Sequence, residues 1–175
     1  MQEENYIQES EMDLIASDIS KVREWLINNK SPNVKNYNED PLWFKAVCFK
    51  NEEVIDEVIL AGADLNVKNH NDTTWTIACI NNGISTWLFQ QGFSTLNNLW
   101  WKPNKLEEHP FYIKGINPDI MFLLCSRLRI DSISWEALHY NGTTPEEFHA
   151  ENKAVLKIIL KWKKLINDSN LPTIF

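Results

Sequence analysis

The tetrapeptide Asn33-Val34-Lys35-Asn36 returns as Asn66-Val67-Lys68-Asn69, 33 residues later. The same shift lays Val22 on Ile55, Trp25 on Val58, Leu26 on Ile59 and Ile27 on Leu60. A four-residue identity could arise by accident, but four apolar matches in the same register argue for a repeat. A period of this length marks one supersecondary unit, and a unit so small cannot bury its apolar face alone. It must lie against copies of itself. The period therefore predicts a chain of stacked units, each covering the next, rather than elements gathered round one central core.

The second unit, about residues 39–69, is the clearest. Asp40-Pro41-Leu42-Trp43 opens it, with Pro41 suited to a first helical turn. Val54, Ile55, Val58 and Ile59 form the apolar stripe of a second helix. Gly62-Ala63-Asp64-Leu65-Asn66 ends it, Gly62 being free to take the left-handed conformation that closes a helix. The opening stands where the ankyrin repeat has Thr-Pro-Leu-His, and the Gly-Ala-Asp-x-Asn ending resembles the ankyrin family strongly. The resemblance implies an all-α solenoid of four to five helix-turn-helix units, irregular in the middle.

The first unit spans about 10–38, with Asp18 as N-cap of its outer helix and Asn29 in place of the terminal glycine. The third runs from about 70 to 93. Asp72-Thr73-Thr74-Trp75 opens it, Asn82-Gly83 turns between its helices, and Gly92 stands as its terminal glycine. Residues 94–109, with Trp100, Trp101 and Pro103, read as an inserted loop. A degenerate unit follows at about 110–136, with Ile120, Leu123 and Leu124 on its outer helix and a basic end at Arg127 and Arg129. The last unit, about 137–166, aligns Tyr140-Asn141-Gly142-Thr143-Thr144-Pro145 with His70 to Trp75. Its helix carries Val155, Ile158, Ile159 and Trp162 on one side and lysines mostly on the others. The likeness is strong over 40–83 and 140–162.

The 175 residues carry a net charge of −7, and all of it lies early: residues 1–70 hold 14 acidic and 7 basic side chains, and 71–175 hold 10 of each. Such a half repels nucleic acid and attracts basic surfaces. The sequence has no run of about 18 apolar residues, so no membrane-spanning helix is expected. The polar start Met1-Gln2-Glu3-Glu4-Asn5 lacks the form of a secretory signal, so a cytoplasmic protein is expected. Cys48, Cys79 and Cys125 are spaced as reduced, buried thiols, without metal-ligand spacing. No phosphate loop, metalloprotease helix or nucleophile elbow occurs, so neither an enzyme nor a cofactor is expected.

In the ankyrin family partners dock on turn tips and inner helices. The resemblance therefore points to Tyr37, Glu39 and Asp40, to His70 and Asp72, and to Tyr140 at the tips. It adds Trp43, Trp75, Trp100 and Trp101 as aromatic anchors, since tryptophan dominates hot spots. Trp25, Trp87 and Trp162 are expected to pack inward. The expected partner is a protein with a basic surface, not nucleic acid or membrane, met by a monomer. A small acidic ankyrin-like chain resembles a toxin-neutralising immunity protein covering a nuclease-like toxin domain. The rival expectation is a host-directed effector or adaptor.

Overall fold

The computed structural model describes residues 6–97, 100–131 and 133–168. Met1–Asn5, and Asn98 and Leu99 of the expected inserted loop, lie outside the described residues, as do the side chains of Arg129, Ile130 and Asn167. The described chain is mostly helical and divides into two compact units, Met1–Pro110 and Phe111–Phe175.

The first unit holds six helices of eight or nine residues: α1 (Glu9–Ser17), α2 (Ile19–Ile27), α3 (Leu42–Phe49), α4 (Glu52–Leu60), α5 (Trp75–Asn82) and α6 (Thr86–Phe93). Each odd helix packs on the even helix that follows it. Across pairs, α1 meets α3 and α3 meets α5, while α2 meets α4 and α4 meets α6. Two layers result. Helices this short are marginal alone and take their stability from the packed face. Met12, Ile15, Ala46, Val47, Ile77 and Cys79 fill one layer, and Val22, Val54, Ile55, Val58, Leu88 and Phe89 the other.

Sequence sets the ends. The carboxylate of Asp18 accepts from the Ser20 amide at 2.8 Å, and the Asn51 side-chain oxygen accepts from the Val54 amide at 3.3 Å, so α2 and α4 begin at side-chain caps. Asn29 (φ 58°) and Gly62 (φ 84°) close α2 and α4 in the left-handed region, 33 residues apart. Gly92 does not play that part. It lies within α6, where a Cβ would stand 2.5 Å from Leu65 Cδ1 and 2.5 Å from Trp75 Cε2. Its role is close approach, not a turn.

The repeated tetrapeptide has a structural meaning. The Asn33 side-chain oxygen accepts from the Asp64 amide, and that of Asn66 accepts from the Asn97 amide, both at 2.6 Å. Each asparagine thus ties the end of one helix pair to the next. The outer helices are joined as well, by Arg23 and Glu57 at 3.0 Å and by Glu52 accepting from the Ser85 amide at 2.8 Å. The only strands among the described residues are two-residue segments, Tyr6–Ile7 and Lys35–Asn36, paired in parallel.

Some apolar positions depart from the expected stripes. Trp87 is 57 % exposed, because in the first turn of α6 it lies opposite the buried Leu88 and Phe89 face. Ile27 and Leu60, at equivalent helix ends, are 78 % and 76 % exposed. Cys48 is also exposed rather than buried.

In the second unit α7 (Pro118–Ile130) packs on α9 (Lys153–Asn167), and the short α8 (Pro145–Phe148) meets α9. A 35-residue shift relates α7 to α9: Ile120 and Leu124 correspond to Val155 and Ile159, and all four are buried. Thr144 and Glu147 form a reciprocal capping box at α8 with Pro145 in the first turn. The buried His149 ring binds the Phe111 carbonyl at 2.9 Å.

Candidate interaction surface

One hydrogen-bond pattern recurs three times along the edge of the first unit. The Asn36 side-chain oxygen accepts from the amides of Asn38 at 3.0 Å and Asp40 at 2.8 Å. That of Asn69 accepts from Asn71 at 3.0 Å and Thr73 at 2.9 Å. That of Asn104 accepts from Leu106 at 3.0 Å and Glu108 at 2.9 Å. Each asparagine is buried and replaces, for two amides, the partners a longer element would provide. The third turn falls inside the segment expected to be an inserted loop. It is 35 residues from the second, where 33 separate the first two.

The turns are bound edge to edge. Asp40 Oδ1 lies 3.3 Å from His70 Nδ1. The Lys105 amide donates to the Asn71 carbonyl and its ammonium to the His70 carbonyl, both at 2.8 Å. Asn104 Nδ2 donates to Thr73 Oγ1 at 3.2 Å. Behind the third turn, Asn81 of α5 donates to Glu108 at 2.8 Å. Behind the first, Lys45 of α3 pairs with Glu9 and, at 3.0 Å, with Asp13, while Asn36 donates to Glu9. Burial alone would lower the Lys45 ammonium, but these two carboxylates hold it above its ordinary value. The turns therefore rest on a fixed base.

At the same place in each turn stands an acidic residue with positive φ: Glu39 at 62°, Asp72 at 58° and Glu107 at 61°. Aspartate tolerates that conformation much as asparagine does, but at the two glutamate positions glycine or asparagine would hold it at less cost, by about 1 kcal/mol. Three consecutive turns instead carry a carboxylate there. Lys105 lies 3.5 Å from Asp72 and partly balances the row. Tyr37 is 65 % exposed and stacks at 6.1 Å on Tyr6, and Leu106 adds an exposed apolar group at the third tip.

The residues singled out from sequence thus divide. Tyr37, Glu39, His70 and Asp72 come together on neighbouring tips. Asp40 is buried and serves the contact between turns. Trp43, Trp75 and Trp100 are no more than 2 % exposed, so they are core rings rather than anchors offered outward. Trp43 packs edge-on against Trp75 with centroids 5.6 Å apart, and Trp100 meets Phe93 at 4.9 Å. Trp43 is covered by Trp75 of the following pair, and Trp75 by Trp43, Gly92 and the Phe89 carbonyl, which explains their burial. Trp101 is half-buried, with the Lys102 ammonium 3.9 Å above its ring. Tyr140 belongs to the second unit, its ring 5.8 Å from Tyr112. Reading from sequence missed Lys105, Leu106 and Glu107. Their signal was Asn104, three residues before Glu107 as Asn36 precedes Glu39.

Beside the third turn, His109 is buried, and burial together with the Lys102 charge lowers its pKa from 6.5 to about 4. The folded state thus favours neutral imidazole. A depressed histidine pKa means that the unfolded chain binds the extra proton first, so its stabilising effect is full above pH 6.5 and fades as pH falls toward 4. The melting temperature should drop between these values, by the equivalent of about 1–2 kcal/mol at pH 5. His109→Gln should flatten that portion of the profile, and an unaltered profile would mean that the ring is solvated.

Burial pushes the Cys79 and Cys125 thiols up, leaving them protonated and poor nucleophiles. No group of three or more His, Cys, Asp or Glu side chains among the described residues could hold a metal ion. No helix among them is long and apolar enough to cross a membrane. No protein-family model matches the chain, and no curated protein matches it.

Proposed function

We propose that the first unit is an ankyrin-type solenoid and that its row of turns is a non-catalytic docking surface for a protein with a basic face. The observation that carries this reading is the recurrence of one asparagine-organised turn, joined side by side, with Glu39, Asp72 and Glu107 in the same left-handed position. A carboxylate repeated at this position, twice as a glutamate where glycine or asparagine would serve the fold at less cost, favours a role outside the fold. The carboxylates can accept charge-assisted bonds from lysine and arginine, and Tyr37 offers a rigid contact area. Within this reading the chain is a cytoplasmic immunity protein. It neutralises a nuclease-like toxin domain by covering the basic track on which that domain binds its substrate. The rival role, a host-directed effector or adaptor, uses the same surface on a different partner.

Co-purification from source cells followed by mass spectrometry identifies the partner. The variant Glu39→Lys/Asp72→Lys/Glu107→Lys tests the surface. The partner should be basic, its association rate with the variant should fall at least about tenfold, and the wild-type rate should fall as salt rises. A salt-insensitive rate that the variant leaves unchanged would overturn the reading. A toxin as partner favours immunity, and a eukaryotic regulator favours the effector role.

A further inference from the structure

Helix α9 carries five lysines and no acidic side chain, in a chain whose net charge is −7. At 3.6 residues per turn, Lys153, Lys157, Lys161 and Lys164 fall on one arc of its surface. All four are exposed, and Leu160, 51 % exposed, lies among them. Val155 and Ile159 are buried on the opposite side, where α9 packs on α7. The fifth, Lys163, is held by Glu146. Burial raises that carboxyl, but Lys163 and the Trp135 ring N–H together pull it below the ordinary range. Among the described residues no carboxylate pairs with the other four, although Glu151 and Asp168 flank the helix ends. The fold thus separates four unneutralised cations and one apolar side chain onto a single smooth helical face.

The chemistry of that face selects among anionic occupants. Nucleic-acid surfaces are read by arginine, amide and aromatic groups alongside lysine, and among the described side chains this arc has none. Specific protein interfaces exclude lysine from their cores. A target-helix mode, in which the apolar side enters a groove, is closed because that side already covers α7. Point charges on flexible stems with an exposed leucine suit a fluid array of anionic headgroups, which needs no fixed geometry. Acidic groups beyond about 8 Å are screened at physiological salt and oppose such contact little. We infer that this face of α9 docks peripherally on an anionic lipid surface.

The full chain should sediment with vesicles of phosphatidylcholine and phosphatidylserine and not with phosphatidylcholine alone. Each lysine near such a surface contributes about fivefold to partitioning. Lys157→Gln/Lys161→Gln should therefore weaken binding by at least about tenfold, and Lys153→Gln/Lys164→Gln similarly, with melting temperatures unchanged because these side chains are exposed. Molar salt should release the protein. Equal binding to neutral vesicles, or unaltered binding by both folded variants, would overturn the inference. So would capture by polyuridylate RNA without vesicle binding, or self-association relieved by the same substitutions.

Discussion

Gly92→Ala should destabilise the first unit by about 2–4 kcal/mol, even though alanine is the better helix former by about 1 kcal/mol. Propensity alone gives the opposite sign, because Gly92 lies inside α6. The structure reverses it through space. A methyl group there would stand 2.5 Å from Leu65 Cδ1, 2.5 Å from Trp75 Cε2 and 2.7 Å from Trp75 Nε1. Leu65 is 2 % exposed and Trp75 fully buried, with its ring held between Trp43 and the Phe89 carbonyl, so neither has room to retreat. To fit the methyl, α6 must move away from α5. Calorimetric melting of the variant checks this, and a raised melting temperature would show that α6 is not seated on Trp75.

Asn69→Ala should cost about 2–3 kcal/mol, through a different mechanism. The side-chain oxygen of Asn69 is the acceptor for two amides, those of Asn71 and Thr73, and Thr73 is itself buried. Truncation leaves both donors unpaired, at about 1–3 kcal/mol for each that stays dry. Asn69→Asp keeps an acceptor in place and should recover most of the loss. Chemical denaturation of the two variants separates the hydrogen-bonding role from simple packing. Equal loss in both would mean that the amide group, not its oxygen, is what the turn requires. Partner binding should weaken in the alanine variant beyond its loss of stability, because His70 and Asp72 belong to the same turn.

The helix pairs of the first unit were legible because the repeat is carried by side chains with fixed tasks. Asn33 and Asn66 bond the next connection, Asn36 and Asn69 organise the turns, and Asn29 and Gly62 close the outer helices. Such tasks tolerate few residue types, so they leave a visible period. The third turn was hidden because its asparagine stands two residues late and its neighbours differ. The tryptophans misled for another reason. Sequence places Trp43 and Trp75 at helix starts but does not say how deeply the adjoining pair covers them. The exposed lysine arc of α9 was legible as a polar face, since charge on one side of an amphipathic helix needs no tertiary information.

Once the partner is in hand, hydrogen exchange with and without it gives the most direct reading of where docking occurs. Amides in residues 36–40, 69–73 and 104–108 should slow on binding, while those of α2, α4 and α6 keep their free rates. Slowing confined to the outer helices, with the three turns unchanged, would contradict the assignment of the turn row as the docking surface.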